Sequence, residues 1–314
     1  MADVRPLAES DLAEARRIFQ VAFGTFLGVP DPANFFADRD LVYGRFGAEH
    51  TAAFAADADG ALAGTNFATR WGSVGFFGPL TMRPELWNRG LAQPLVGAAC
   101  AVFEQWGLSH TGLYTFAESA KHIHLYGKFG FHPRFLTAIM AMPARPGVGT
   151  GAFTRYSVLS DGDRETAESA CRELTEALYP GLDLGAEIRT ATARGLGDTV
   201  LLGDNGGSKL ASFAICHYGP ASEAGAGCLY VKFGAVRRGR GAGARFADLL
   251  DACEALALAV GMPNVLAGVN LAREEAYRQM TARGFRTEIQ GVTLHRDNQP
   301  GYSRPGLYVL DDWR

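Results

Sequence analysis

The chain has 314 residues, 47% of them hydrophobic and 20% charged, with a formal net charge of −3. That length suffices for one large domain or two ordinary ones, and the slightly acidic balance argues against general nucleic-acid binding, which needs a basic footprint. Five scattered cysteines form no CxxC pair, no apolar run nears the roughly 20 residues of a membrane span, and the N-terminus lacks a signal-peptide core. A cytoplasmic protein with reduced thiols, no structural zinc and no membrane partner is expected.

From the N-terminus, VRPLAESDLAEARRIFQVAF reads as a short strand and a helix, with Ser10 a candidate N-cap. The helix runs into an aromatic-rich stretch with Asp31, Asp38 and Asp40 interspersed, which reads as a packing face with surface acids. TAAFAADADGALAGTNFATRW places Asp59-Gly60 between apolar runs and predicts a hairpin. Residues 75–107 hold an apolar strand, a basic glycine-containing turn and a helix on which Leu91, Leu95, Ala99, Val102 and Trp106 share a face. Pro94 is tolerable there because it falls in the first turn. HTGLYTFAESAKHIHLYGKFGF, residues 110–131, adds a strand and a short helix ending in Gly-Phe. Pro and Gly then crowd residues 141–153, which predicts a linker.

Beyond it the order repeats. A strand and helix with Ser160 as N-cap are followed by strands around an Asn205-Gly206 turn, then by strand, glycine turn and helix over 228–261, then by strand and helix to Gly-Phe over 264–285. Gly90 and Gly130 are 40 residues apart, Gly241 and Gly284 are 43 apart, so the copies superpose with three extra residues in the second. Two domains, 1–145 and 152–314, are expected, with PGYSRPGLYVLDDWR a last strand closing the second sheet.

A glycine turn that feeds a helix presents unpaired N–H groups and the positive end of the helix dipole, which makes an anion site. Neither copy has the GxxxxGK[ST] pattern of a nucleoside-triphosphate loop. Residues 239–244, GRGAGA, fit a dinucleotide fingerprint, but the next strand ends Gly268-Val269-Asn270 without the acid that would hold a ribose. A glycine turn with solvated arginines is the remaining plain reading.

Arg238, Gly239, Arg240, Gly241, Ala242 and Gly243 also fit [QR]-x-x-G-x-[GA], and the chain thereby resembles the GNAT (Gcn5-related) acetyltransferase superfamily. In the first copy Arg89, Gly90, Leu91 and Ala92 follow Trp87, which stands where Gln or Arg is usual. SAKHIHLYGKFGF, from Ser119 to Phe131, matches the family's short-helix pattern except that Ser replaces Asn. The resemblance covers nearly the whole chain. It implies an α/β (α+β) fold of two tandem GNAT-like domains, each a mixed, mostly antiparallel sheet flanked by helices.

The resemblance further implies an N-acetyltransferase that binds acetyl-CoA, needs no metal, and moves the acetyl group to a primary amine by direct attack. The pyrophosphate would lie on the two glycine loops. A backbone N–H near Leu80, Thr81 and Met82, or near Phe233 in the second copy, would polarise the carbonyl. Ser119 and Asn270 hold matching positions ahead of Tyr126 and Tyr277, the candidate acids for the departing thiolate. Tyr277 lies three residues earlier than the Gly-Phe count demands, so one extra helical turn is expected after it.

The general base is not evident: Glu118 and His124 are near only in sequence, and His122 and His124 at i,i+2 point to different helix faces and make no metal pair. In the family the first helix and its loop often shape the acceptor pocket, where Asp31, Asp38 and Asp40 among aromatics would suit an apolar small-molecule amine. The oligomeric state is open. A non-catalytic acyl-CoA-binding regulatory or scaffold protein, with one or both sites silent, is the competing reading.

Overall fold

The computed structural model describes residues 3–146, 152–204, 209–220 and 222–314. Its first half supplies β1 (Asp3–Pro6), α1 (Leu12–Phe26), β2 (Thr51–Ala58), β3 (Ala61–Trp71), β4 (Val74–Phe77), β5 (Thr81–Met82), α2 (Gln93–Gln105), β6 (His110–Phe116), α3 (Ala120–Gly127) and β7 (Phe131–Pro143). The second supplies β8 (Thr154–Arg155), α4 (Asp161–Glu176), α5 (Gly185–Ala193), β9 (Gly197–Gly203), β10 (Leu210–Gly219), β11 (Gly225–Val236), α6 (Ala242–Ala259), β12 (Asn264–Asn270), α7 (Glu274–Arg283), β13 (Arg286–Arg296) and β14 (Val309–Leu310).

Local chemistry explains several of these boundaries. Asp59 and Gly60 both have positive φ, +53° and +79°, the geometry a two-residue hairpin needs to match strand twist. The Ser160 hydroxyl accepts from the Asp163 N–H and caps α4 as expected. Ser10 does not cap α1. It lies inside a 3-10 turn, and Asp11 stands at the N-cap position of α1 with no side-chain bond to that helix; its carboxylate instead accepts from the Ala8 N–H ahead of the turn at 2.9 Å and pairs with Arg5 at 2.6 Å. The expected linker also starts late, since residues 141–143 are still pairing in β7; residues 147–151, like the Asn205-Gly206 turn, lie outside the described residues.

All strands join one sheet, in the order β1-β2-β3-β4-β6-β13-β7-β12-β11-β10-β9-β8, with β5 beside β3 and β14 beside β11. Only β4 with β6 and β11 with β12 run parallel; every other pair is antiparallel. The order reads the same from both ends once each strand is matched to its repeat partner. At the centre the halves trade strands: β13 pairs with β6 from Gly291↔Phe116 to His295↔Gly112, and β7 pairs with β12 from Asn270↔Thr137 to Asn264↔Pro143. Each repeat's sheet is thus completed by the last long strand of the other.

The core follows this exchange. Trp71 and Phe76 pack with Phe233 and Trp313 of the second half, at ring-centroid distances of 4.7 Å (Trp71–Phe76), 5.4 Å (Trp71–Phe233) and 6.2 Å (Phe76–Trp313). Such pairs each add about 0.5–1.5 kcal/mol beyond their buried area. Helices α2 and α3 cover the sheet face that carries Ala68, Phe77 and Leu113, while α1 covers the face that carries Phe67. No described helix is long and apolar enough to cross a membrane.

Candidate active site

Two equivalent strand pairs part at equivalent places, and their fates differ. In the first half β4 and β6 run parallel from Val74↔His110 to Phe77↔Leu113 and then separate. Opposite them Phe77 pairs with Ala68 and Thr81 with Thr65, so residues 78–80 face only residues 66 and 67. The one extra residue is a β-bulge, which bends the strand away from β6. Past the bulge the Arg83 N–H donates to Ala63 at 2.8 Å. Antiparallel alternation then turns the Met82 N–H and C=O away from β3, and the Met82 carbonyl accordingly accepts from Trp87 Nε1 at 2.9 Å. The Met82 N–H faces the opening.

That opening is a cavity of about 330 Å³. Leu80, Thr81 and Met82 line one wall, and Gly90, Leu91 and Ala92 line the end where α2 begins. Gly90 has φ +76°, a conformation side chains resist. The turn it makes leaves the Leu91 and Ala92 amides without an acceptor among the described residues. Tyr126 lines the far wall from α3, its ring edge-on to Phe77 at 5.6 Å. Arg89 is exposed beside the loop, and Ser119 stands at the N-cap position of α3 without a side-chain capping bond; neither lines the cavity.

In the second half β11 and β12 separate after Val231↔Ala267, but the freed edge of β11 is occupied. β14 pairs with it through Gly234↔Leu310 and Ala235↔Val309, and the Val236 N–H donates to Tyr308 at 3.3 Å. The tail expected to close the second sheet therefore lies inside its cleft. It is clamped there. Buried Arg273 donates to the Val309 carbonyl at 2.7 Å and pairs with Asp311, and the Tyr230 hydroxyl donates to Asp312 at 2.9 Å. Gly268 and Gly112 leave room for it, since a Cβ on either would come within 2.4 Å of Asp312 or 2.3 Å of Trp313.

The other second-copy residues are correspondingly engaged. The Asn270 amide donates to Thr137 Oγ1 and Thr293 Oγ1, and its oxygen accepts from the Ala272 N–H. Phe233 is core, 5.7 Å from Phe213. Arg238 donates to the Ala177 carbonyl at 3.2 Å, and the Arg240 carbonyl accepts from Arg245 at 3.2 Å. Gly239 and Gly241 have positive φ and lead into α6 at Ala242, while a Cβ on Gly243 would lie 3.1 Å from the Tyr308 hydroxyl. Tyr277 is half-buried beside the core of α6 and α7, and Met280 is fully buried. α7 has ten residues against eight for α3.

Electrostatics separate the candidate groups. Burial pushes the Tyr126 phenol well above its ordinary range, with neighbouring Thr115 offsetting part of the effect, so the hydroxyl keeps its proton. Burial, with Lys121 adding to it, lowers His122 to about 4, so this imidazole is neutral at pH 7. His122 lines the cavity; Glu118 and His124 are exposed and do not. The sequence reading weighed His124 as a candidate base but His122 only as half of a metal pair.

The expected acids are also elsewhere. Asp31 accepts from Asn34, Asp38 from the Ala226 N–H, and Asp40 from the Val42 and Tyr43 amides, so all three fasten loops and none lines the cavity. Behind the bulge, buried Arg45 donates to the Gly78 carbonyl at 2.5 Å and to the Arg314 carbonyl, and pairs with Glu223 at 2.8 Å. Lys232 pairs with the same carboxylate at 2.9 Å. Together the two cations hold Glu223 well below the usual carboxylate range against the penalty of burial. Among the described residues no group of three or more His, Cys, Asp or Glu is placed to hold a metal ion.

Comparison with known proteins places this geometry. Residues 13–131 match the acetyltransferase (GNAT) family. No curated protein sequence matches the chain. A protein from Pyrococcus horikoshii assigned as an acetyltransferase superposes with a TM-score of 0.68 at 12% identity, over 98% of this chain and 93% of that one. A GCN5-related N-acetyltransferase from Sphaerobacter thermophilus gives 0.62 at 18%, over 96% of each chain. A tandem GNAT protein of the clavulanic acid biosynthesis pathway gives 0.59 at 14%, over 96% of this chain and 100% of that one. At these identities the likeness is one of fold.

Proposed function

From a chain whose residues 13–131 match the acetyltransferase (GNAT) family and that has the tandem GNAT fold over its length, we propose an N-acetyltransferase with one working site, the cleft of the first half. Its substrates in this reading are acetyl-CoA and a small-molecule amine. The repeats are taken as residues 1–145 and 152–314, each completed by the other's strand. One contrast carries the reading: the strand edge after Phe77 is free, and the matching edge after Val231 is filled by β14. The non-catalytic alternative is thereby favoured for the second half alone, where Phe233, Asn270, Tyr277 and the loop from Arg238 to Gly243 serve the fold.

When bound, acetyl-CoA supplies a thioester for the amine to attack. The free Leu91 and Ala92 amides, at the positive end of α2, suit its pyrophosphate, with Arg89 adding charge outside. The Met82 N–H is aimed to stabilise negative charge on the carbonyl oxygen. Tyr126 donates a hydrogen bond to the sulfur as the C–S bond breaks. The apolar walls favour the unprotonated amine, whose lone pair makes the new bond, and the proton then released can pass to neutral His122 or to water.

Calorimetric titration tests this directly. One acetyl-CoA should bind per chain, Gly90→Val should abolish binding, and Gly241→Val should leave it. Both glycines have positive φ (+76° and +85°), so the two substitutions carry a similar backbone cost and differ in the cleft they affect. Two sites per chain, or loss with Gly241→Val alone, would contradict the assignment. Thiol release over an amine panel then tests turnover.

A further inference from the structure

The acceptor's chemistry can be read from the half of the cavity that faces α1, on the premise that this cleft transfers an acyl group. Along β6 successive side chains point to opposite faces. Leu113 packs with Tyr126 and α2, whereas Tyr114 packs on the other face with Ile139, Ile289 and Tyr230. The opening at the bulge therefore joins a compartment under α2 and α3 to one under α1. The second compartment is walled by aromatic rings: Phe116 lies 4.9 Å from Phe26 and 6.2 Å from Phe23, and Phe23 stacks on Phe35 at 6.5 Å.

Its inner end is cationic and under-satisfied. Tyr114 and Arg314 both line the cavity, and the Tyr114 hydroxyl and Arg314 Nη2 are buried without hydrogen-bond partners. Arg39 lies beside them, its guanidinium 4.2 Å above the Phe36 ring and its Nε also buried and unpaired. Burial and the neighbouring Arg314 both push Arg39 below the ordinary guanidinium range. Carboxylates are near: buried Asp312, 3.5 Å from Arg314 Nε and with its own Oδ2 unpaired, buried Glu223, and the exposed Asp38, Glu118 and Glu288. None of them lines the cavity, where the charged side chains are Lys121 and Arg314.

Buried donors without acceptors are costly and mark a place for an acceptor group. An anionic group suits the place best, because guanidinium groups bind carboxylates through paired, charge-assisted hydrogen bonds stronger than those to neutral acceptors. The rings around it take an apolar body. A second positive charge is opposed, since no acid lines the cavity beside Lys121 and Arg314; the same cations also push an incoming ammonium towards its neutral, nucleophilic form. We propose that the acceptor is a carboxylate-bearing apolar amine, an aromatic or large aliphatic α-amino acid. Its carboxylate rests on Arg314 and Tyr114, and its side chain lies among Phe23, Phe26, Phe35 and Phe116.

Acetyl transfer is measured to phenylalanine, tyrosine, tryptophan and leucine, each against its decarboxylated amine, with spermidine as a polycation. At least one amino acid should exceed its amine by about 10-fold or more in kcat/KM, the scale of a lost charge-assisted hydrogen bond. Arg314→Gln and, separately, Tyr114→Phe should narrow that ratio, mainly through KM. Acetyl-CoA binding by each variant reports that it has folded. Amines equal to or better than their amino acids, spermidine as the best acceptor, or a ratio unmoved in both variants would overturn the inference. Bound acetyl-CoA with transfer to none of these acceptors would overturn it too, while leaving the cofactor reading intact. Failure to bind acetyl-CoA would remove the premise instead.

Discussion

Tyr126→Phe removes one hydroxyl and keeps the ring that packs edge-on to Phe77 at 5.6 Å. Folding should lose no more than about 1 kcal/mol, the worth of one neutral hydrogen bond. The effect on rate is larger. A thiol has an ordinary pKa of about 8.5, and burial holds the Tyr126 phenol above even its own ordinary value. Full proton transfer to the leaving sulfur is then uphill, so in the proposed mechanism the hydroxyl would act by donating a hydrogen bond to developing thiolate charge. A hydrogen bond to a charged partner contributes about 1.5–3 kcal/mol, which is roughly 10- to 150-fold in rate. Thiol release under single turnover should slow by that factor, with acetyl-CoA affinity nearly unchanged. Because the phenol stays protonated, the loss should be the same from pH 6 to 9. Tyr277→Phe should do almost nothing. A loss under 3-fold for Tyr126→Phe, or a larger one for Tyr277→Phe, would refute the assignment.

Arg45→Met strips a buried charge from Glu223 and frees the Gly78 carbonyl. With Lys232 still paired to that carboxylate, urea unfolding should report a loss near the low end of the ~3–5 kcal/mol typical of a broken buried pair, and acetyl transfer should fall with it; a loss below about 1 kcal/mol would count against the role given to Arg45. Acid should destabilise the fold through two buried histidines. His110 and His295, rings 4.9 Å apart, are held neutral by burial down to about 4 and about 3. Below 6.5 the unfolded chain binds protons that the native one refuses, so stability present above 6.5 is lost as pH falls, by about 2 kcal/mol per histidine by pH 5. Denaturant midpoints that do not move between pH 7 and 5 would contradict this.

The repeat was legible because its elements are local: apolar spacing in α2 and α6, glycine turns at Gly90 and Gly241, and the Gly-Phe that ends each short helix. Strand exchange was not, because β7 and β13 have the same character whichever sheet they complete, and register is decided by partners more than a hundred residues away. LYVL is a short apolar run such as a strand offers, yet nothing in it says that it fills a cleft. The cavity's charge was hidden for a similar reason. Asp31, Asp38 and Asp40 sit among aromatics in sequence but turn to loop amides, while Arg314 arrives from the far end of the chain.

The palindromic strand order has a consequence for how such a chain comes about. About the boundary between β13 and β7 the strand order is the same in both directions, each long strand matching its counterpart in the other half. Joining the subunits of a strand-swapped homodimer end to end would leave this arrangement. Identical subunits must carry the same cleft twice, and any segment that filled one would fill both. Fusion lifts that constraint. Once the copies are encoded separately, a terminal extension can be threaded into one opening, as residues 307–314 are, while its last side chains reach the other. The second copy then becomes part of the wall of the first copy's cavity, through Trp313 and Arg314.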